Sequence, residues 1–257
     1  MPASDLALLI QAAHEAAEIA NRYWQSDQRI VEKPDGGGPV SEGDLAVDKH
    51  LRETLMHARP DYGWLSEETE DSPARLHAEN VFICDPIDGT RAYVAGHKTW
   101  AHSLAIAHQG QVTTGVVLLP QRDKLYTATL GGGATLNNEP LSASTRTDIN
   151  GATMLAPRPT LDAANWTGLP PPVSRHFRPS LAYRLCLVAE NRFDAMLTLR
   201  DAWEWDIAAG ALIAAEAQAT TTDRHGVPLI FNSPGAMTPG VLTAAPDLHR
   251  DLISRLP

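Results

Sequence analysis

Cysteine is nearly absent from this chain, which has two such residues, Cys84 and Cys186, among 257. Each lies in a run of apolar residues, so we interpret both as reduced core residues rather than as a disulfide or a pair of metal ligands. The ten histidines are scattered, and none forms the His-x-x-x-His or mixed Cys/His grouping that zinc sites use. The sequence therefore argues against both a disulfide and a zinc centre.

Basic charge and long apolar runs are also scarce. The chain has 21 Lys and Arg residues against 31 Asp and Glu, a formal net charge of −10, and no basic patch. This charge argues against binding to nucleic-acid polymers or to anionic membranes. No apolar run approaches the roughly 20 residues of a membrane span, and the first five residues lack the basic and apolar regions of a signal peptide. We expect a cytoplasmic protein, monomeric or homodimeric.

Acidic residues, in contrast, are concentrated in short motifs, of which the most informative is Asp85-Pro86-Ile87-Asp88-Gly89-Thr90. The motif follows residues 81–84, an apolar run typical of a buried strand. Pro86 fixes its own φ and favours an extended residue before it, so that the two carboxylates can converge. Gly89 lets an anion approach the backbone, and the next amides can form a helix start that favours phosphate. The motif predicts a metal and phosphate site at the carboxyl end of a strand.

Two further acidic clusters stand between apolar residues. Glu67 and Glu68 follow the short run Trp64-Leu65-Ser66, and Asp206 stands at the head of an alanine-rich stretch. Burying unpaired anions is costly, and a hard divalent cation with oxygen ligands commonly offsets that cost. Taken alone, Asp206 could equally be the N-cap of the helix that follows. The clusters together favour a divalent metal site.

These motifs resemble those of the inositol monophosphatase superfamily of Mg²⁺-dependent, lithium-sensitive phosphatases. Four segments carry the resemblance, in order and over nearly the whole chain: Val40-Ser41-Glu42-Gly43-Asp44, Glu67-Glu68, the Asp85 to Thr90 motif, and Trp205-Asp206 with its Ala-Ala-Gly tail. The resemblance implies hydrolysis of a phosphomonoester of a small metabolite by metal-activated water. It also implies a layered α-β-α-β-α sandwich.

The resemblance further implies a role for each matching residue. The implied ligands of two or three Mg²⁺ ions are Glu67, Asp85, the main-chain carbonyl of Ile87, Asp88 and Asp206. The implied catalytic residues are Asp44, Thr90 and Glu67, the first two positioning and deprotonating the attacking water. The amides of Gly89 and Thr90 would hold phosphate oxygens. The ions are needed on physical grounds too, because a cleft of carboxylates would otherwise repel a phosphate dianion. The sequence leaves open a contribution from Glu68, His97 or His102.

The substrate-recognition segments differ from those of strict inositol phosphatases. In those enzymes a Glu seven residues before the last metal Asp contacts inositol hydroxyls, and here that position is Leu199. Their Gly-Thr-Ala-Ala segment is replaced by Pro179-Ser180-Leu181-Ala182-Tyr183-Arg184. Three segments resemble those of bacterial 3'(2'),5'-bisphosphate nucleotidases, which have Lys in place of Arg184: Leu65-Ser66-Glu67-Glu68, the Asp-Gly-Thr-Arg91 end of the metal motif, and the run from Ser180 to Ala189 followed by Trp-Glu-Trp-Asp. This similarity implies that Ser180 and Arg184 contact the substrate, the cation pairing with a second phosphate.

Adenosine 3',5'-bisphosphate, hydrolysed to AMP and phosphate, is therefore the substrate we expect. Inositol 1-phosphate, histidinol phosphate and sugar phosphates are the alternatives that the catalytic motifs leave open. A metal- or nucleotide-sensing module that has lost turnover is the non-enzymatic alternative. The water-positioning pair Asp44 and Thr90 favours the enzyme, since a sensor would not need it.

Hydrophobic periodicity predicts an α+β N-terminal subdomain, residues 1–138, and an α/β C-terminal subdomain, residues 139–257. The first has predicted helices at 6–24, capped by Ser4 or Asp5, and at 41–56, a glycine-rich turn at 36–39, antiparallel strands at 100–108, 111–119 and 124–129, and a hairpin turn at 131–133. In the second, short strands and helices alternate at 153–156, 181–190 and 195–199, before a helix from Asp206 to about residue 217.

The proposed ligands are divided between these two subdomains. The first would carry most metal ligands, and the second would carry Asp206 and the substrate residues, so the site should lie where the halves meet. We interpret Trp203 and Trp205 as core residues rather than as residues that stack on a ligand, with Trp203 a candidate for the mouth of the site.

Overall fold

A computed structural model of the protein describes residues 4–33 and 37–257. The helices of these residues are α1 (Asp5–Tyr23), α2 (Glu42–Ala58), α3 (Thr90–Val94), α4 (Leu181–Ala189), α5 (Glu204–Glu216) and α6 (Pro246–Arg255). The strands up to residue 140 are β1 (Ile30–Glu32), β2 (Pro39–Ser41), β3 (Gly63–Ser66), β4 (Asn80–Asp88), β5 (Ala101–His108), β6 (Gln111–Leu119), β7 (Lys124–Thr129), β8 (Gly133–Leu136) and β9 (Glu139–Pro140). The later strands are β10 (Thr153–Leu155), β11 (Ser174–His176), β12 (Ala195–Thr198), β13 (Ala202–Trp203), β14 (Thr220–Thr222), β15 (Met237–Thr238) and β16 (Val241–Ala244).

The first two helices begin where their capping residues predict. Ser4, rather than Asp5, caps α1, because its side chain accepts a hydrogen bond from the amide of Ala7. Ser41 caps α2 in a capping box with Asp44, each side chain bonding the other's backbone amide. The box places Asp44 in the first turn of α2 with its side chain buried.

A seven-stranded sheet in the order β3-β4-β5-β6-β7-β8-β9 forms the frame of the site. Strands β3 and β4 are parallel and the remaining neighbours are antiparallel, which confirms the predicted antiparallel strands and the hairpin turn between β7 and β8. Strand β4 runs four residues past the predicted apolar stretch, to Asp88, with a register irregularity between Asp85 and Asp88. The irregularity falls at Pro86, which has no N–H to give to the ladder.

The layers follow from which faces are apolar. Helices α1 and α2 cover one face of the large sheet, and α4 and α5 cover the other. A second sheet, in the order β11-β10-β12-β16-β14, packs on α4, and α6 covers its outer face. The result is the expected α-β-α-β-α sandwich. The large sheet ends at Pro140 and the second begins at Thr153, while the division into two subdomains stays a prediction.

The start of α5 and the strand β1 differ from the sequence prediction. Helix α5 begins at Glu204, two residues before the predicted start. Strand β1 was not predicted, because its three residues are all exposed and too few to show a period. It pairs with β2 to flank the predicted glycine-rich turn, of which Gly36 lies outside the described residues.

Both cysteines are buried and unpaired, as predicted. Among the helices of the described residues, none is long and apolar enough to cross a membrane.

Gly210 allows α4 and α5 to pack closely. A Cβ at this position would lie 2.7 Å from both Cβ and Cδ1 of Leu185 and 3.2 Å from the carbonyl oxygen of Ala182. We expect Gly210→Ala to lower the free energy of unfolding by about 1–3 kcal/mol through overpacking, despite a helix-propensity gain of about 1 kcal/mol. Urea unfolding measures this effect. Gly168→Ala is the control, since a Cβ there meets nothing within 4 Å. An unchanged midpoint for Gly210→Ala would contradict the prediction.

Candidate metal and phosphate site

Three aspartates from two layers meet at the carboxyl end of β4. Ligand oxygens of Asp85, Asp88 and Asp206 all lie within 4.8 Å of one another. The first two end β4, and Asp206 is the third residue of α5, so the N-cap reading of Asp206 is wrong. The N-cap position belongs to Trp203. The predicted meeting of a first-half strand with a second-half helix is therefore confirmed for these three carboxylates.

The electrostatics of the cluster favour a bound cation. Burial, together with the charges of Glu67, Asp88 and Asp206, raises the pKa of Asp85 well above its usual range. Burial and the charges of Asp88 and Glu67 do the same to the pKa of Asp206. Carboxylates so close together ionise at a cost unless a positive charge lies between them. A set of hard oxygen donors of this kind fits a divalent cation.

Asp88 also joins β4 to the start of α4. Its Oδ2 accepts hydrogen bonds from Ser180 Oγ at 2.7 Å and from the amide of Ala182 at 2.7 Å, and its Oδ1 accepts one from the amide of Leu181 at 3.1 Å. Burial raises the pKa of Asp88, and these hydrogen bonds oppose the increase. Ser180, a predicted substrate residue, has a left-handed φ of 65° and caps α4. The orientation of the Asp88 carboxylate is therefore fixed before any ligand binds.

Glu67 does not belong to the close group formed by the three aspartates. Its Oε1 accepts a hydrogen bond from Lys33 Nζ at 2.8 Å. Lys33 also contacts Glu68 Oε1 at 2.7 Å. Burial and the charge of Glu67 raise the pKa of Glu68 to about 7. The role of Glu67 as a ligand stays a prediction, and Lys33 is a neighbour that the sequence did not indicate.

Asp44 and Thr90 form a contact beside the cluster. Thr90 Oγ1 lies 3.1 Å from Asp44 Oδ1 and 3.1 Å from the carbonyl oxygen of Ile87. The other oxygen of Asp44 accepts hydrogen bonds from Ser41 N at 2.9 Å and Ser41 Oγ at 2.6 Å. Burial raises the pKa of Asp44 to about 6, against the effect of these hydrogen bonds. A carboxyl group with a pKa near neutrality is suited to proton transfer.

The backbone at Gly89 has the conformation that the motif requires. Gly89 is the N-cap of α3 with a φ of 96°, a left-handed conformation that L side chains rarely adopt. Thr90 follows as the first helical residue, a position whose N–H has no intrahelical acceptor. The geometry suits an anion at this helix start, although α3 is short.

Two histidines left open by the sequence have different surroundings. His102 is fully buried, with Nδ1 2.5 Å from the carbonyl oxygen of Pro86. Burial lowers the pKa of His102 to about 4, so the ring is neutral and Nδ1 donates this hydrogen bond. His102 therefore supports the metal motif from β5. His97 is exposed.

Arg184 lies on α4 with its side chain buried. Its Nε donates a hydrogen bond to the carbonyl of Arg178 at 2.7 Å, and its guanidinium carbon lies 4.6 Å from the ring centroid of Phe177. Burial lowers the pKa of Arg184, while the charges of Asp88 and Asp206 oppose that decrease. Within the described residues, its terminal nitrogens form no hydrogen bond or ion pair. The guanidinium is thus held in place near the carboxylates, and its two terminal nitrogens can still donate hydrogen bonds to a ligand.

Sequence reasoning missed Glu204, which anchors the start of α5. This fully buried carboxylate accepts hydrogen bonds from the amides of Asn232 at 2.6 Å and Ser233 at 2.9 Å, and from Ser233 Oγ at 2.5 Å. Its position two residues before Asp206 means that it holds the helix turn that carries that carboxylate. An acidic residue between two tryptophans was the one available signal.

The layered fold carries a carboxylate cluster that could hold a divalent cation, and comparison with known proteins gives the family. The family model described as "Inositol monophosphatase family" matches residues 2–256. The inositol-1-monophosphatase of Rhizobium meliloti is 34% identical over 231 residues, 86% of each chain. The histidinol-phosphatase of Mycobacterium tuberculosis is 31% identical, over 100% of this chain and 99% of the relative. The solved IMPase structure from Thermotoga maritima superposes with a TM-score of 0.82 at 22% identity, covering 97% of this chain and 95% of that one.

The chain belongs to the inositol monophosphatase family, and it is a phosphatase. The match extends over almost every described residue, so the four motifs lie in one family domain rather than in an inserted segment.

Proposed function

We propose that this protein is a Mg²⁺-dependent phosphomonoesterase that converts adenosine 3',5'-bisphosphate into AMP and phosphate. The observation that carries the proposal is the buried guanidinium of Arg184, held by Arg178 and Phe177 near Asp88 and Asp206. A phosphate held at the carboxylates would place a second phosphate of the same molecule within the field of this cation. Arg is the residue best suited to such a contact, because its planar fork can bond two phosphate oxygens.

The metal site in this proposal comprises the carboxylates of Asp85, Asp88 and Asp206, with Glu67 and the carbonyl of Ile87 as further ligands. Bound divalent ions would neutralise the phosphate and lower the pKa of the attacking water. Residues of the protein would transfer the proton, orient the water and hold the phosphate. Asp44, with its raised pKa, accepts the proton of the attacking water while the hydroxyl of Thr90 orients that water. The amides of Gly89 and Thr90 hold phosphate oxygens at the start of α3.

Leu199 supports a nucleotide rather than a polyol substrate. Its side chain is partly buried and packs with the core beneath the second sheet, and its carbonyl accepts a hydrogen bond from Arg224. Neither feature offers a partner for the hydroxyls of a polyol. A polyol would therefore gain no hydrogen bond from the side chain at this position.

A second candidate is a phosphatase for inositol 1-phosphate or histidinol phosphate, which the names of the two curated relatives favour. The full-length coverage of the histidinol-phosphatase gives that substrate particular weight. A sensing module without turnover is less well supported, because the Asp44 and Thr90 contact is intact.

A substrate panel with Arg184 variants tests the proposal. Phosphate release is measured with adenosine 3',5'-bisphosphate, AMP, inositol 1-phosphate and histidinol phosphate, with Mg²⁺ and after chelation. We expect the bisphosphate nucleotide to have the highest kcat/KM and chelation to abolish turnover. Arg184→Met should lower kcat/KM for the bisphosphate roughly tenfold or more, since a charge-assisted contact contributes about 1.5–3 kcal/mol.

The matched control is Arg184→Lys, which keeps the positive charge and should keep most of the activity. AMP has one phosphate, so its kcat/KM should change little in either variant. Equal kcat/KM for the nucleotide and inositol 1-phosphate, or an equal loss on every substrate in Arg184→Met, would contradict the nucleotidase proposal and leave the phosphatase assignment standing.

A further inference from the structure

Two tryptophans form a stacked pair at the start of α5. The rings of Trp203 and Trp205 lie 4.6 Å apart between centroids with an interplanar angle of 10°. Trp205 is buried, as predicted, but Trp203 is 42% exposed, so the prediction of a core role for Trp203 is wrong. The buried indole fixes the plane of the exposed one. The pair is therefore a rigid aromatic surface open to solvent.

This surface lies at the end of α5 that carries Asp206. Trp203 is the N-cap residue of α5 and makes no capping hydrogen bond with its side chain, while Asp206 is the third residue of the helix. The two residues are three positions apart at one helix end, so their backbones lie within about one helical turn, roughly 5.4 Å along the axis. The backbone of Trp203 pairs with Met237 in the short β13–β15 ladder, and Met237 is 37% exposed. The exposed indole, three residues along the chain from Asp206, thus has an apolar neighbour.

A purine ring is the chemical group that suits this surface. Flat aromatic rings stack on an indole over a large area at little cost in conformational entropy. Phe177 is also exposed, but the Arg184 guanidinium already lies over its ring. Trp203 is left as the platform, at the end of α5 that carries Asp206.

We propose that Trp203 stacks on the purine of the bisphosphate nucleotide and selects substrates that carry an aromatic base. This inference rests on the proposed function and adds a recognition element to it. Arg184 would then recognise the second phosphate and Trp203 the base, so the two contributions can be removed separately.

The test compares Trp203→Leu with Trp203→Phe. Leucine keeps an apolar side chain against Trp205 and loses the flat ring, while phenylalanine keeps the ring. The substrates are adenosine 3',5'-bisphosphate and its base-free counterpart, methyl riboside 3,5-bisphosphate. We expect Trp203→Leu to raise KM for the nucleotide roughly tenfold or more, in line with the loss of one stacked base, and to leave kcat/KM for the base-free compound unchanged. Trp203→Phe should retain most of the preference for the nucleotide.

Ile230→Ala is the matched control, since it removes another exposed apolar side chain, next to Gly110 in the turn between β5 and β6. It should change neither substrate. An equal fall in kcat/KM for both substrates in Trp203→Leu, or no fall for the nucleotide, would overturn the stacking inference. Either result would leave the proposed nucleotidase function unchanged.

A wild-type protein that hydrolyses neither bisphosphate would instead overturn the proposed function. In that case, AMP binding by calorimetry decides the role of Trp203. The same affinity in wild type and Trp203→Leu would reject stacking, and a selective loss in Trp203→Leu would support it.

Discussion

Asp206→Asn is expected to remove almost all phosphatase activity, by roughly a thousandfold or more. The substitution keeps the shape of the side chain but takes one negative charge from the cluster with Asp85 and Asp88. Loss of a bound cation would remove several kcal/mol of charge stabilisation from the transition state. Phosphate release in excess Mg²⁺ measures the effect, and Asp88→Asn should cause a similar loss.

The two variants should differ in stability without metal. Asp206→Asn relieves the repulsion that raises the pKa of Asp85, so we expect a higher Tm for the metal-free protein. Asp88→Asn weakens three hydrogen bonds that hold the start of α4, because an amide offers one acceptor oxygen where the carboxylate offers two. Without metal, we therefore expect a lower Tm for Asp88→Asn than for Asp206→Asn. In both variants the increase in Tm on adding Mg²⁺ should shrink.

Asp201→Asn is the control for this pair, since it makes the same chemical change at an exposed residue just before α5. It should leave both turnover and the Mg²⁺-dependent Tm near those of the wild type. Near-normal turnover in Asp206→Asn would show that Asp206 is not a ligand, although its carboxylate lies close to those of Asp85 and Asp88.

Asp44→Asn is expected to lower kcat by about 10²- to 10⁴-fold, the usual contribution of a general base. An amide in contact with Thr90 cannot take a proton from water. Because Asp44 is not in the close group of three aspartates, the Mg²⁺-dependent increase in Tm should be retained. Turnover and metal binding should thus separate in this variant, whereas they fall together in Asp206→Asn.

Ser41→Ala separates catalysis from helix capping. Asp44 and Ser41 form the capping box of α2, so any change at Asp44 also disturbs the helix start. Removing the Ser41 hydroxyl should cost about 0.5–2 kcal/mol of stability but leaves the Asp44 carboxylate in place. We expect most turnover to survive in this variant at temperatures well below its Tm. An equal loss in Ser41→Ala and Asp44→Asn would indicate a structural role for Asp44.

Much of the site was predictable because its chemistry is concentrated in short motifs. Asp85 and Asp88 lie three residues apart around a proline, and local backbone geometry is enough to bring their carboxylates together. Glu204 and His102 were not predictable in the same way. Their roles depend on the loop at Asn232 and on the carbonyl of Pro86, which are 28 and 16 residues away in the chain.

Local signals in the sequence were enough to predict the capped helices α1 and α2, the antiparallel strands, the apolar strand that ends in the metal motif, and the family. Which distant groups meet depended on the tertiary packing. It brought Asp206 to Asp85 and Asp88, placed the first amides of α4 against the Asp88 carboxylate, and left Trp203 exposed while burying Trp205. The physical reason is that periodicity identifies the apolar face of an element. Contacts and exposure at the end of that element depend on how whole layers pack against one another.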